Sequence, residues 1–479
     1  PDFLGLVDLA VIGEGEEAIC EVVTGLRADG DLRGIPGVAF LSDGAQVVFT
    51  PRRPLEQLDR LPFPQYDRQM VQNAYTERVL PLLMSRGCKG KCTFCDARFF
   101  QARYRSRTAQ NVFDEILHHV RTTGTTHFTF NDLAINWNLK ELERLCDLII
   151  EEEDLTIWWN ASATIRKGMT KRLFEKMRVA GCAPGGTESI FGARGGSLVF
   201  GLESGSSKVL ERMGKYYRVP EAEAVLKRAH QAGIPTWINL IVGFPGEGEH
   251  EFQETIGFLR RNVSNITEIA TLSLCYVPQF AELGLSPERF GIELPDEEFM
   301  LDWHSGKGSG YQTRKLRAVR LIRELEALGK RPLATNLDYA PDDGEAVGLA
   351  EPDELHGQDA TETGIQKQIL LVMPPPWEDV APPLGLGYLE SYLTHHGVQV
   401  TIVDANLVSL ETVPEQDREL WQYEFIDKWN DRRLFQRFAK GKLALALDRC
   451  LEEILRVQAP IVGFSVNQVN RLFVAELIQ

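Results

Sequence analysis

Apolar positions along this chain follow two rhythms. Short apolar runs predict buried strands, and stretches in which apolar residues recur every three or four positions predict amphipathic helices. Val7 to Gly13 is apolar, Glu14-Gly15-Glu16 turns, and Ala18 to Leu26 has helical spacing. Gly34 to Tyr66 reads as short strands and proline-rich turns ending in a strap, Leu58-Asp-Arg-Leu-Pro-Phe-Pro-Gln-Tyr66. From Leu80 the two rhythms alternate regularly. Strands are expected at Leu80 to Met84, His127 to Phe130, Thr156 to Trp159, Ser197 to Gly201, Thr236 to Val242 and Thr271 to Val277. Thr108, Asn138 and Thr170 stand where helix caps belong. They precede a helix with Val112, Ile116 and Leu117 on one face, then Leu139 to Glu152, then Lys171 to Ala180. Helix Thr313 to Leu328 closes the series.

Asn336 to Gly364 contains no Lys or Arg among many Asp, Glu, Gly and Ala residues, the composition of a flexible acidic linker. A new unit follows: strand Gln368 to Met373, a helix opened by Pro382-Pro-Leu-Gly-Leu-Gly-Tyr388 and running to His395, then strands Val398 to Val403 and Pro460 to Ser465. The partition is 1–33, 34–74, 75–332, 333–366 and 367–479. Alternating strands and helices require parallel sheets with right-handed crossovers, so both large units are α/β and their ligand sites belong at the carboxyl ends of the strands. At those ends stand Cys88 to Cys95, Asn131-Asp132, Asn160, Ser162, Glu203-Ser204-Gly205 and Gly243-Phe-Pro-Gly-Glu247.

With 479 residues, 43% hydrophobic and 25% charged, the chain has globular composition and length for several cores. No apolar run approaches the length that spans a bilayer. A net charge of -16 argues against nucleic acid as partner and for a small molecule or peptide. Cys20, Cys146, Cys182, Cys275 and Cys450 are scattered singly among apolar neighbours, which fits a reducing, cytoplasmic compartment.

The other three cysteines are different. Ser85-Arg-Gly-Cys88-Lys-Gly-Lys-Cys92-Thr-Phe94-Cys95-Asp96 spaces them C-x3-C-x2-C directly after an apolar run. Three thiolates on one loop suit three corners of an iron-sulfur cube and leave one iron open to a small molecule. A zinc site or unrelated free thiols are the alternatives; a closed structural zinc site asks for a fourth ligand, and no His or Cys follows within twenty residues.

On these residues the chain resembles the radical S-adenosylmethionine superfamily, in its cobalamin-binding-domain-containing branch. The signature is C-x3-C-x-aromatic-C after the first strand, with Phe94 as the aromatic, and the resemblance extends over most of residues 75–330. It implies an open six-stranded (βα)6 partial barrel with a 4Fe-4S cluster on Cys88, Cys92 and Cys95. It also implies S-adenosylmethionine held near Phe94, Asp132, Glu203, Ser204, Val242 and Gly243. Many members carry Gly-Gly-Glu where this chain has Phe130-Asn131-Asp132, and the glycine-rich stretch Ala183 to Gly196 is an addition with no assigned role.

Residues 7–30, with Asp8 and Gly13-Glu-Gly-Glu16, resemble the closing unit of a doubly wound cobalamin-binding domain, and residues 367–479 resemble the opening of another. In the latter the matching positions are Pro383, Gly385, Gly387, Asp404, Asn406 and Ser465. No D-x-H-x-x-G sequence supplies a lower axial imidazole, and any nucleotide or flavin-type open sheet is an equal reading of this segment. Pro1 and Gln479 look like cut ends, so the expectation is two incomplete pieces of a tandem protein.

The implied activity is reductive cleavage of S-adenosylmethionine to a 5′-deoxyadenosyl radical, with methylcobalamin donating a methyl group to an unactivated carbon of a small molecule or peptide. An electron donor such as flavodoxin or ferredoxin is the implied partner. Radical cyclisation with cobalamin as relay is one rival. A methylthiotransferase would want a second cysteine trio upstream and a basic domain, neither visible here. An iron-sulfur electron carrier is the non-enzyme alternative.

Overall fold

A computed structural model describes residues 2–28, 30–42, 46–68, 71, 79–100, 103–188, 194–294, 301–305, 310–337, 368–376, 382–421, 427–430, 432–436, 440–467 and 469–478. Most of the expected acidic linker (338–366), part of the strap region (69–70 and 72–78) and the centre of the glycine-rich insertion (189–193) lie outside the described residues.

The N-terminal strand departs from expectation. Strand β1 is only Ala10–Val11 and pairs antiparallel with β2 (Val38–Leu41), which pairs antiparallel with β3 (Val47–Phe49). Gly13, at φ 88°, turns the chain out of the strand and into helix α1 (Glu16–Arg27). Glu14 and Glu16 are drawn to the arginines of the next domain: Glu14 pairs with Arg105 and accepts from Leu55 N at 2.9 Å, and Arg86 reaches Glu16 at 2.5 Å.

The largest sheet is parallel throughout and holds β4 (Val79–Leu82), β5 (His127–Phe130), β6 (Trp158–Ala163), β7 (Leu198–Glu203), β8 (Thr236–Val242), β9 (Glu268–Leu274) and β10 (Pro332–Thr335). They lie side by side in chain order, an open partial barrel. It has seven strands, not six. The seventh was hidden because Pro332 opens it beside an acidic stretch, yet a proline is tolerated at an edge where its missing N–H serves no neighbour. The expected linker from 333 thus begins with strand residues.

Helices α2 (Ala109–Thr123), α3 (Leu139–Glu151), α4 (Lys171–Val179), α5 (Ser207–Arg212), α6 (Val219–Gln231), α7 (Glu249–Asn262) and α8 (Tyr311–Ala327) accompany the sheet. The side chains of Thr108, Asn138 and Thr170 accept from Asn111 N, Glu141 N and Leu173 N, so the three expected caps are present. Helix stripes such as Val112, Phe113 and Ile116 pack onto Phe128, Trp159 and Phe200 in one continuous core. The described part of the insertion is an antiparallel ribbon, Pro184–Glu188 against Arg194–Gly195.

In the C-terminal unit β11 (Gln368–Met373) is flanked by β12 and β13, all parallel. Its elements run α9 (Leu384–His395), β12 (Gln399–Asp404), α10 (Ala405–Thr412), α11 (Lys440–Val457), β13 (Ile461–Phe464) and α12 (Arg471–Ile478). One face packs Leu370 and Val372 against Leu443, Ala446, Cys450 and Phe473. The other packs Ile369, Leu371 and Met373 against Leu386 and Leu393 of α9 and also against Val23 of α1. The two terminal pieces therefore share a core instead of standing apart. Among the described residues no helix is long and apolar enough to cross a membrane.

Candidate active site

The site is assembled at the carboxyl ends of the barrel strands. After β4 the chain runs into Ser85–Arg86, which pairs antiparallel with Arg105–Ser106 and frames the cysteine loop. Asp132, beyond the end of β5, fastens that frame. One of its oxygens accepts Met84 N at 2.8 Å and the other the Ser85 hydroxyl. Burial pushes its pKa up to about 6. Both oxygens are thus engaged in holding the loop entrance.

The loop itself is tied to distant elements through backbone. Thr93 N donates to Met213 O at 2.9 Å, Leu283 N donates to Thr93 O at 2.9 Å, and Gly214, at φ 72°, lets the chain pass so close to Lys91 O that a Cβ would sit 2.5 Å from it. The sulfurs of Cys88 and Cys92 lie 3.2 and 3.8 Å from the point where a Cβ on Gly90 would be, so any side chain there would fill the space between them. Gly90 N also donates to Cys88 Sγ at 3.2 Å. Cys88, Cys92 and Cys95 are all partly accessible free thiols. Burial pushes Cys95 up to about 11 and raises Cys92 as well, so binding a metal would expel protons. Among the described residues no three His, Cys, Asp or Glu side chains close around a single-ion site. A cube, whose corners take one thiolate each, suits three thiols on one loop and the space that Gly90 leaves clear beside two of them.

Opposite the loop, β7 ends in Glu203, which carries a left-handed φ of 65° that a side-chain-bearing residue adopts only when packing enforces it. Lys215 Nζ donates to Glu203 Oε1 and to Gly201 O, each at 3.0 Å, and lies 5.4 Å from the ring centre of Phe94. Burial alone would depress the Lys215 ammonium, but the neighbouring Glu203 carboxylate keeps it above its ordinary range. Tyr217 OH donates to Gly201 O at 2.8 Å and completes the clamp. Ser204 is buried and points away, contacting Thr255 Oγ1 at 3.2 Å. Phe94 itself meets Phe244 edge to face at 6.5 Å.

At the end of β8, Val242 is sunk in the core, and Gly243, at φ 78°, is required because a Cβ would strike the Arg314 side chain at 2.5 Å. Arg314 is itself buried, bonded to Trp303 O at 2.8 Å, and its pKa falls to about 10 through burial. Glu247 accepts Gly243 N at 3.0 Å, and burial pushes its carboxyl up to about 7. The structure thus brings the three thiols, Phe94, Glu203 and Lys215 together and gives Asp132, Ser204, Val242 and Gly243 supporting positions. Lys215, Tyr217 and Arg314 were not singled out from sequence. The one local signal was a lysine set among aromatics in Met213-Gly-Lys-Tyr-Tyr217.

The second predicted set lies at the carboxyl edge of β11, β12 and β13. Pro383 precedes α9 as its N-cap, and Gly385 faces open space. Gly387 is packed against the strap, with Pro64 Cβ and Tyr66 OH each 3.1 Å from where its Cβ would be. Asp404 caps α10 by accepting Leu407 N at 3.0 Å, Asn406 accepts Trp421 Nε1 at 2.7 Å, and Ser465 is joined through backbone to Val372 O at 3.0 Å. The first turns of α9 rest on the barrel beside the cysteine loop. Arg107 donates to Tyr388 OH at 3.2 Å, and the Arg86 guanidinium lies 5.4 Å from the Tyr388 ring centre.

Comparison with known proteins agrees with this geometry. Residues 82–259 match the family model described as the Radical SAM superfamily. An uncharacterized methyltransferase of Pyrococcus horikoshii is 29% identical over 261 residues, covering 53% of each chain. An anaerobic magnesium-protoporphyrin IX monomethyl ester cyclase of Cereibacter sphaeroides is 27% identical over 259 residues, 52% of this chain and 40% of that one. The chain therefore spans about half the length, or less, of these curated relatives. Among solved structures, the radical S-adenosylmethionine methyltransferase TsrM of Kitasatospora setae, with tryptophan substrate and an analogue of S-adenosylmethionine bound, shares the fold. Its TM-score is 0.50 at 14% identity, over 67% of both chains. The match thus runs from Leu82 through the three-cysteine loop and β8 into α7, and over this stretch the chain is similar to the Radical SAM superfamily.

Proposed function

We propose that this chain is a cobalamin-dependent radical S-adenosylmethionine enzyme that methylates carbon in a small molecule or peptide, with a flavodoxin- or ferredoxin-type protein as electron donor. The observation that carries the proposal is the space that Gly90 leaves clear beside Cys88 and Cys92, together with the buried Glu203–Lys215 pair whose ammonium lies 5.4 Å from the Phe94 ring centre. When bound, a reduced 4Fe-4S cluster supplies the electron that splits S-adenosylmethionine, and cobalamin supplies the methyl group. The chain's own part is placement. Cys88, Cys92 and Cys95 would ligate three irons, Phe94 offers a flat apolar surface, and the Glu203 carboxylate, fixed by Lys215, stands ready for a cationic ligand. The edge of the C-terminal sheet, seated beside Arg86, is where cobalamin would be held by Pro383, Gly385 and their neighbours.

The first experiment is anaerobic reconstitution followed by reduction with S-adenosylmethionine present and chromatography for 5′-deoxyadenosine. Its appearance, and its absence from Cys92→Ala, support the reading; an intact cluster that yields none with a strong reductant returns the chain to electron transfer. The likeness to a cyclase supports ring closure as a second reading. S-adenosylmethionine labelled in its methyl group separates the two, because only methyl transfer carries the label into product.

A further inference from the structure

We infer that Trp137 donates its indole N–H to a sulfur of the cluster and thereby sets the potential at which the cluster accepts an electron; this rests on the proposed function. Trp137 lies in the short turn Ile135–Trp137 between β5 and α3 and is only 9% exposed. Its Nε1 is buried and has no hydrogen-bond partner among the described residues. A buried donor left in this state is costly to a fold, so it points to an acceptor that arrives with a ligand.

The direction is given by the ring. Cζ2, on the same edge of the indole as Nε1, lies 3.8 Å from the Cβ position at Gly90, the point that is also 3.2 Å from Cys88 Sγ and 3.8 Å from Cys92 Sγ. The N–H edge and two ligand sulfurs therefore border one small space. The turn is held rigidly: Asn136 and Thr164 exchange bonds of 2.7 and 3.0 Å, and Arg166 Nη1 donates to Asn136 O at 2.5 Å and Trp137 O at 3.0 Å. The Arg166 guanidinium lies 5.5 Å from the Trp137 ring centre, and Tyr216 lies against it at 5.3 Å. So many restraints on an indole that makes no hydrogen bond of its own suit a donor aimed in advance. Hydrogen bonds to cluster sulfurs stabilise the more negative reduced state and raise the potential.

The test is potentiometric titration, followed by electron paramagnetic resonance, of reconstituted wild type and Trp137→Phe, which keeps the ring and removes the donor. Iron and sulfide are assayed in both. The expected result is full cluster content in both proteins and a reduced-to-oxidised ratio about tenfold lower in the variant at a fixed poise, a downward shift of about 59 mV for one electron. An unchanged potential with full iron overturns the role of Trp137 and leaves the proposed function standing. A wild-type protein that assembles no iron overturns the proposed function itself. Should Trp137→Phe fail to fold, wild type grown with 15N-indole tryptophan decides the matter: a hyperfine coupling of that nitrogen to the reduced cluster is expected, and its absence overturns the inference.

Discussion

The carboxyl edges of the barrel sheet and of the C-terminal sheet are equivalent by topology and unlike in chemistry. At the barrel edge, polar groups are held away from their easiest partners. Glu203 sits in a left-handed conformation, the Trp137 N–H has no acceptor among the described residues, and the thiols of Cys88 and Cys92 border a space that Gly90 leaves clear. At the C-terminal edge the corresponding groups are satisfied locally. Asp404 caps its own helix, Asn406 serves Trp421, and Gly387 makes room for the strap. A strand end is therefore only an address; backbone strain and unsatisfied buried groups tell which address is prepared for a ligand.

The largest effect expected from breaking this preparation is at the thiols. Cys92→Ala should abolish iron incorporation and 5′-deoxyadenosine formation together, whereas Cys182→Ala, in the buried core, should leave both intact. Iron and sulfide analysis checks it; equal iron in the two variants would erase the distinction between ligand and core cysteines. Next is the Glu203–Lys215 pair. Removing one partner of a buried ion pair costs about 3–5 kcal/mol, so Lys215→Met should lower stability by that order. Adding Glu203→Gln should recover most of it, because no lone charge is then left buried. Denaturant midpoints of the single and double variants provide the cycle.

Much of the barrel was legible because its signals are local. Thr108, Asn138 and Thr170 announce helices by their chemistry, and the strands His127–Phe130 and Thr236–Val242 were bounded correctly from apolar runs alone. The cysteine loop was legible because its three cysteines fall within eight residues. What escaped depends on distance. β10 is four residues with a proline at its start and gains its strand character from β9. Lys215 and Arg314 acquire meaning only from Glu203 and Gly243, neighbours in space and not in sequence. The sharing of a core between α1 and the C-terminal sheet joins Val23 to Leu371, and no periodicity encodes a contact that long.

Glu247 tests whether the barrel edge holds its carboxylates against their preference. Its pKa rises from 4.5 unfolded to about 7 folded because burial disfavours the charge more than Arg317 favours it. The native state therefore binds the proton more tightly. Stability from this group is complete below pH 4.5 and is lost as pH rises towards 7. At one unit per 1.36 kcal/mol the loss amounts to about 3 kcal/mol. Glu247→Gln keeps an acceptor for Gly243 N and cannot ionise, so its unfolding midpoint should exceed that of wild type at pH 8 and match it near pH 4.5. Parallel pH profiles for the two proteins would show that Glu247 titrates as an ordinary surface carboxyl.

The smallest effect distinguishes packing from ligand contact within one helix of the C-terminal unit. Gly385 and Gly387 both lie in α9, where alanine is favoured over glycine by about 0.5–1 kcal/mol. At Gly385 a Cβ meets nothing within 4 Å, so Gly385→Ala should raise stability by about that amount. At Gly387 the same methyl group presses on Pro64 Cβ and Tyr66 OH at 3.1 Å, and overpacking should turn the gain into a loss of about 1 kcal/mol. Hydroxocobalamin titration of Gly385→Ala then sharpens the contrast between the two edges. If affinity falls although the free protein is stabilised, the open face of Gly385 is a ligand surface and the C-terminal edge is prepared after all. If affinity is unchanged, α9 serves to dock this unit on the barrel, and the cobalamin contacts must be sought at the other strand ends, around Asn406 and Ser465.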